Sequence, residues 1–382
     1  MADFTEDLIK IESYEVLGQL PDPFLFQNGA KLQKRNEWEC RRKELYRLAV
    51  EIPYGVQPPE PGNLDIETLG IGSRTDSYRI TASENNRALS FTIILFKPDH
   101  LEPPWPVVID GDRCWDYGFN QDFLHAFLDR GIAVALFDRL ELAADFRDPK
   151  RNSPLYKLYP EMDFGALSAW AWGYSRCVDA LIRLGLARTD GIAFTGHSRG
   201  GKTAVLAGAV DQRARFVNPN NSGCGGCGCF RVHASGIRED GTPKREESLE
   251  AILDQFDYWF SPLLREYYGK ADKLPFDSHF LKALIAPRIL IEGNAASDLW
   301  ANPVGSWQTA EAASEVFRFL GVPENHYWYY RRGYHWHKVE DVLRLAKIIR
   351  ATLDGCATDD EFYKTPFRRP DKIFSWQAPV HS

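Results

Sequence analysis

The pentapeptide Gly196-His197-Ser198-Arg199-Gly200 constrains this chain more than any other stretch. An apolar run, Ile192 to Thr195, leads into it, and the helix-forming run Lys202 to Ala209 leads out. Strand, tight Gly-x-Ser-x-Gly turn and helix in succession make a nucleophile elbow. The turn is crowded, so the positions two before and two after the serine tolerate little side chain, and glycine stands at both. Raised on such a turn, the Ser198 hydroxyl faces a substrate while the helix aims its first amides at developing negative charge.

The surrounding pattern agrees. Val107-Val108-Ile109, Ile132 to Phe137, Arg215-Phe216-Val217, Arg288 to Glu292 and His326 to Tyr330 read as short strands. Asp122 to Leu128, Ala166 to Leu186, Thr309 to Leu320 and Val339 to Leu353 read as helices between or after them. Continuous apolar strands alternating with helices predict an α/β fold with a mostly parallel, doubly wound sheet and helices on both faces. Ser77 to Thr81 and Leu89 to Phe96 form an antiparallel pair ahead of it. Residues 1–75 are broken by Pro21, Pro23, Pro53, Pro58, Pro59 and Pro61 and read as an irregular wrap with one helix, Asn36 to Val50. With 382 residues, 44% of them hydrophobic, one large core is affordable. The expectation is a single domain, 1–382, with its catalytic core at 76–355 and a polar C-terminal tail at 356–382.

A net charge of −7 and the lack of a lysine or arginine run argue against nucleic acid. No stretch reaches the length of a membrane span. The start, Met1 to Asp7, is acidic without an apolar centre, so no secretory signal is read there. A cytoplasmic location is expected, or a secreted one if the start belongs to a trimmed form. Three of the seven cysteines, Cys224, Cys227 and Cys229, crowd a glycine-rich turn. With no second metal-like pair they read as small buried residues rather than a metal site, and free thiols suit a reducing compartment. Neither metal nor cofactor is expected.

A serine hydroxyl needs a base to take its proton, and the base needs a carboxylate to hold its tautomer. In a doubly wound hydrolase the three follow in the order serine, acid, histidine, each beyond the carboxyl end of a strand. Glu292 to Asp298 follows one strand here, and Arg331 to His337 follows the next. Asp298 and His335 stand where the partners belong. Glu292 competes for the acid and His337 for the base; loop freedom favours Asp298, and the hinge at Gly333 favours His335. The backbone N–H of Arg199 is the first oxyanion donor, with a second expected from the turn Asp110-Gly111-Asp112. The helix macrodipole disfavours cations at its head, so Arg199 and Lys202 suit an anionic substrate group or the oxyanion.

Further stretches carry a resemblance. Gly196 to Lys202 is similar to the Gly-Cys-Ser-Arg-x-Gly-Lys elbow of the glucuronoyl esterases, carbohydrate esterase family fifteen. Asp22-Pro23-Phe24, Glu37 to Arg42, Asn221 to Gly226, Tyr258-Trp259-Phe260, Leu274 to Asp277, Ala283 to Arg288 and Trp300 to Pro303 agree as well, over about residues 20 to 350. The resemblance implies a cofactor-free α/β-hydrolase fold. It implies cleavage of the ester between a glucuronic acid on xylan, often 4-O-methylated, and a lignin alcohol, through an acyl-enzyme. It implies that the Arg199 side chain assists the oxyanion and that Lys202 and Trp300 bind the sugar. Many members carry the acid as a glutamate at the position of Asn221, so here the acid comes from elsewhere, and Asp298 is the site some bacterial members use. Fungal members have cysteines where this chain has His197 and Trp336, so their disulfide is absent. An esterase or lactonase acting on another small carbohydrate ester, acetyl esters included, is the second reading. A carbohydrate-binding protein without catalysis is the third.

Overall fold

The computed structural model describes residues 11–115, 119–237, 243–358 and 361–380; the acidic start, residues 1–7, lies outside them. Among the described residues the chain forms β1 (Ile11–Val16), β2 (Asn63–Ile71), β3 (Thr75–Glu84), β4 (Arg87–Phe96), β5 (Trp105–Asp110), β6 (Ala133–Phe137), β7 (Ala187–His197), β8 (Phe216–Asn220), β9 (Val232–Ile237), β10 (Pro243–Arg245), β11 (Ile289–Ala295) and β12 (His326–Arg331). Nine of these make one sheet in the order β12-β11-β8-β7-β5-β6-β4-β3-β2. From β12 to β6 the neighbours are parallel. From β6 outward through β4, β3 and β2 they are antiparallel.

Burial explains which runs became which strands. β5, β6, β8 and β11 are buried at every position, as strands covered on two faces must be. β4 alternates buried with more open residues, as a strand with one covered face should. The principal helices are α1 (Trp38–Tyr46), α2 (Gln121–Leu128), α3 (Ala166–Arg183), α4 (Arg199–Val210), α5 (Leu249–Phe256), α6 (Pro303–Leu320) and α7 (Val339–Asp354). Successive residues of β5 divide between the two faces. Val108 joins Phe123, Phe127, Leu345 and Ile349 under α2 and α7. Val107 and Ile109 join Trp170, Val178, Leu181 and Val205 under α3 and α4. This is the α/β-hydrolase arrangement.

Two stretches are more regular than expected. Residues before 75 are not merely an irregular wrap. β1 pairs antiparallel with β9 in a separate three-stranded sheet, and β2 extends the main sheet at its edge. Only Leu64 of β2 is buried, so the strand carries little of the apolar alternation that would announce it. The segment after Gly355 is no polar tail lying free. Ile373 and Phe374 are buried in it, and Trp376 Nε1 donates to Leu20 O at 3.0 Å. Cys224, Cys227 and Cys229 are buried free thiols. The fold brings the carboxyl ends of β7, β11 and β12 to one rim.

Candidate active site

The elbow is formed at the end of β7. Ser198 has φ 57° and ψ −121°, a strained conformation for a residue with a side chain. A Cβ on Gly196 would lie 2.4 Å from Gly200 O, and one on Gly200 would lie 2.1 Å from the Asp112 carboxylate. Neither position has room for a methyl group. Ser198 N donates to Asn220 O at 2.9 Å, tying the turn to β8, and Lys202 N donates to Ser198 O at 2.9 Å, starting α4.

His335 and Asp298 converge on that serine. His335 Nε2 is 2.8 Å from Ser198 Oγ, and His335 Nδ1 is 2.5 Å from Asp298 Oδ2. The Asp298 side chain is buried while that of His335 stays 40% exposed, so the imidazole is open to a substrate and its partner carboxylate is shielded. The loops that deliver them are laced together by Ala296 N to Arg331 O at 2.8 Å and Ser297 N to Gly333 O at 3.0 Å.

The competitors are engaged elsewhere. Glu292 is buried within 2.5 Å of Lys282 Nζ and 2.7 Å of His326 Nε2. Burial pushes its carboxyl up, but Lys282 and His326 outweigh that and hold it below the usual range. His337 is half-buried, stacked on His197 at 5.1 Å and edge-on to Phe123 at 5.0 Å. Burial, with His197 and Arg331 nearby, drives its imidazole well below the ordinary value. His197 donates from Nε2 to His335 O at 2.7 Å.

The expected second oxyanion donor is not in the turn after β5. Gly111 N donates to Tyr174 Oη at 3.0 Å, Asp112 N to Asp110 Oδ1 at 2.8 Å and Arg113 N to Phe137 O at 3.2 Å. Those three amides serve the turn itself. Arg199 remains. As the first residue of α4 its amide has no carbonyl four residues back inside the helix. Its guanidinium donates to Asp145 Oδ2 at 2.6 Å and lies over Trp259 (4.9 Å) and Phe256 (5.3 Å), with the side chain 28% exposed. Asp145 also accepts from Trp259 Nε1 at 2.9 Å and Tyr258 Oη at 3.0 Å. Burial pushes the Asp145 carboxyl up, yet Arg199 and Trp259 hold it below the usual range.

Lys202 is not an open cation. It is 3% exposed, and its ammonium donates to Glu247 Oε2 at 2.6 Å and Ser222 O at 2.5 Å. Two of its three protons are thereby placed. Burial pushes the Glu247 carboxyl up, opposed by Lys202. Glu247 N donates to Trp300 O at 2.9 Å, so Lys202, Glu247 and half-buried Trp300 are linked in one group. Each cation at the head of α4 therefore has its own carboxylate, Asp145 for Arg199 and Glu247 for Lys202. Sequence reasoning missed both acids, because each lies at least 45 residues away in the chain.

The chain is similar to known proteins in both sequence and fold. A family model described as "Glucuronyl esterase, fungi" matches residues 80–321. The 4-O-methyl-glucuronoyl methylesterase 1 of Phanerochaete chrysosporium is 32% identical over 313 residues, 80% of this chain and 63% of that protein. The chain thus spans less than two thirds of that relative. The 4-O-methyl-glucuronoyl methylesterase of Schizophyllum commune is 31% identical, covering 80% of this chain and 75% of that protein. Among solved structures, a carbohydrate esterase family 15 glucuronoyl esterase from Caldicellulosiruptor kristjansonii superposes with a TM-score of 0.83 at 30% identity, covering 98% of this chain and 99% of that one. The Hypocrea jecorina glucuronoyl esterase catalytic domain gives a TM-score of 0.76 at 26% identity, covering 97% and 99%.

Proposed function

Because the chain belongs to the glucuronoyl esterase family, we propose that it is a serine esterase that hydrolyses esters of glucuronic acid or its 4-O-methyl ether. The observation that carries the reading is the unbroken hydrogen-bonded run from Ser198 Oγ through His335 to buried Asp298. His335 Nε2 takes the Ser198 proton as Oγ bonds to the ester carbon, and Asp298 stabilises the imidazolium that forms. The resulting oxyanion meets the Arg199 amide and its guanidinium. The C–O bond to the alcohol then breaks, the alcohol leaves with the proton held by His335, and an acyl-enzyme remains. Water, deprotonated by His335, releases the uronate and restores Ser198. The group of Lys202, Glu247 and Trp300 supplies the remaining Lys202 proton, a carboxylate and an aromatic edge to the hydroxyl-rich ring. Asp298 within 2.5 Å of His335 supports catalysis over a binding-only protein, since Asn221 need not be the acid.

The test compares benzyl glucuronate with p-nitrophenyl acetate. Wild type should turn over the uronate ester, and Ser198→Ala should abolish it. Activity surviving in Ser198→Ala would remove the nucleophile. Replacing Lys202 alone would strand Glu247 as a buried charge, so this group is probed with Lys202→Met combined with Glu247→Gln. That pair should cut kcat/KM on benzyl glucuronate about 100-fold, the scale of a lost set of polar contacts, and leave acetate hydrolysis nearly unchanged. Equal losses on both would favour a general small-ester hydrolase.

A further inference from the structure

We propose that Arg331 is a positioning residue for this reaction: its guanidinium fixes the backbone of the loop carrying His335 in the one conformation that brings the imidazole to Ser198. The inference rests on the reading of Ser198 as nucleophile and on nothing about the sugar.

The loop after β12 runs from Arg332 to Lys338 without helix or strand. The loop is held at Gly333 by Ser297 N and at His337 by the rings of His197 and Phe123, but the residues between stay largely open. The His335 side chain is 40% exposed, and its neighbours Tyr334 and Trp336 are 43% and 73% exposed. A loop with its side chains in solvent samples many backbone conformations unless its polar groups are tied down. Here the ties go to carbonyls. Arg331 Nη1 donates to Tyr334 O at 3.2 Å and Arg332 O at 3.4 Å, Nη2 donates to Trp336 O, and Nε donates to Asp341 Oδ2 at 2.7 Å. His197 Nε2 takes the one carbonyl between, His335 O, at 2.7 Å.

Arg331 is thus the hub of the loop, and the requirement is chemical. Only a guanidinium presents a rigid fork of five donors; an ammonium is a compact point charge that cannot span three carbonyls and a carboxylate. The side chain is 2% exposed and its charge is balanced by fully buried Asp341 at the start of α7, itself held by Tyr329 Oη at 3.0 Å and Lys338 N at 3.1 Å. Fixing the backbone on both sides of His335 sets where its Cβ points. A misplacement of about 1 Å in a reacting group can cost about 10²-fold in rate.

The competing view is that Arg331 and Asp341 are only a buried ion pair sewing β12 to α7. The two roles separate by variant. Arg331→Lys keeps the charge facing Asp341 but loses most of the fork to the loop. Asp341→Asn breaks the ion pair but leaves the fork. Kinetics on benzyl glucuronate and p-nitrophenyl acetate, melting temperature, and the second-order rate of Ser198 phosphonylation by a fluorophosphonate are measured for both. For positioning, Arg331→Lys lowers kcat about 30- to 100-fold at a KM within about twofold, and phosphonylation slows in parallel. Asp341→Asn then lowers the melting temperature while kcat stays within about threefold. Wild-type kcat and phosphonylation in folded Arg331→Lys would overturn the proposal, as would kcat losses in Asp341→Asn as large as those in Arg331→Lys. If Arg331→Lys does not fold, His197→Phe decides: it keeps a ring against His337 but removes the tie to His335 O, along with the Nδ1 contact to Asn220 in β8, and a kcat unchanged there would show that the loop needs no carbonyl ties. If wild type hydrolyses acetate but not the uronate ester, the substrate reading fails while the phosphonylation rates still judge Arg331.

Discussion

At residue scale the site turns on two acids, Glu292 within β11 and Asp298 just past its end. Both are buried and both touch a histidine, His326 for the first and His335 for the second. What separates them is the company each keeps. Glu292 is matched by Lys282 in a closed pair; Asp298 faces a half-open imidazole that faces the serine. Asp298→Asn should therefore lower kcat by about 10⁴, the scale seen when a triad acid loses its hold on the histidine tautomer, with little change in melting temperature. Glu292→Gln should do the reverse, costing about 3 kcal/mol or more in chemical denaturation because Lys282 is left buried and unmatched. A Glu292→Gln variant that folds normally but is inactive would exchange the two assignments. Ser198, Asp298 and His335 could be found in the sequence because each follows a recognisable strand in a set order. Asp145, Glu247 and Arg331 could not, because their roles depend on what a buried charge meets after folding. The oxyanion turn misled for the same reason: the partners of its amides, Tyr174 and Phe137, come from α3 and β6.

At the scale of elements, α4 begins at the nucleophile and must end well. Its last carbonyls meet two cations from outside the helix. Arg288 donates to Gly208 O at 2.6 Å, as well as to Asp211 O, Ala214 O and Leu284 O, while Arg42 donates to Ala209 O at 3.1 Å. These guanidiniums satisfy carbonyls the helix leaves bare, and their charge complements its C-terminal dipole. Burial lowers the Arg288 guanidinium to about 10, still protonated at neutral pH. Arg288→Met strips donors from four carbonyls and should cost about 3 kcal/mol or more in urea unfolding, leaving kcat of the folded enzyme within about twofold. The strands and helices of the parallel half were legible because their apolar runs are continuous and long. β1, β9 and β2 were not. The first two form a small sheet from segments more than 200 residues apart, and the third is an edge strand with one buried side chain.

For the whole molecule, the histidines set the response to acid. Burial lowers His197 and His279 to about 4, with His335 adding to the effect at His197, and burial also lowers His326 and His337. Their unfolded values lie near 6.5, so as pH falls below that the unfolded chain takes up protons that the folded one refuses. The imidazoles' contribution is full above about pH 6.5 and is lost as pH drops toward 4, opposed in part by Asp110, whose buried carboxyl, pushed up to about 7, takes up its proton first in the folded state; the lowered carboxyl of Glu292 extends the loss below 4.5. The melting temperature should fall on the order of 10 °C between pH 7 and pH 5. A melting temperature flat over that interval would mean that these imidazoles gain protons without penalty.

The sheet order also has a temporal meaning. Ser198 ends an interior strand, whereas the imidazole that activates it rides just past β12, the outermost strand on that side. A chain emerging from the ribosome displays its nucleophile more than a hundred residues before its base exists. The acid follows β11 and the base follows β12, so the hydrogen-bonded run needs both of these last strands of the sheet in place. A chain that lacked that edge would hold Ser198 as an ordinary alcohol, with no base beside it.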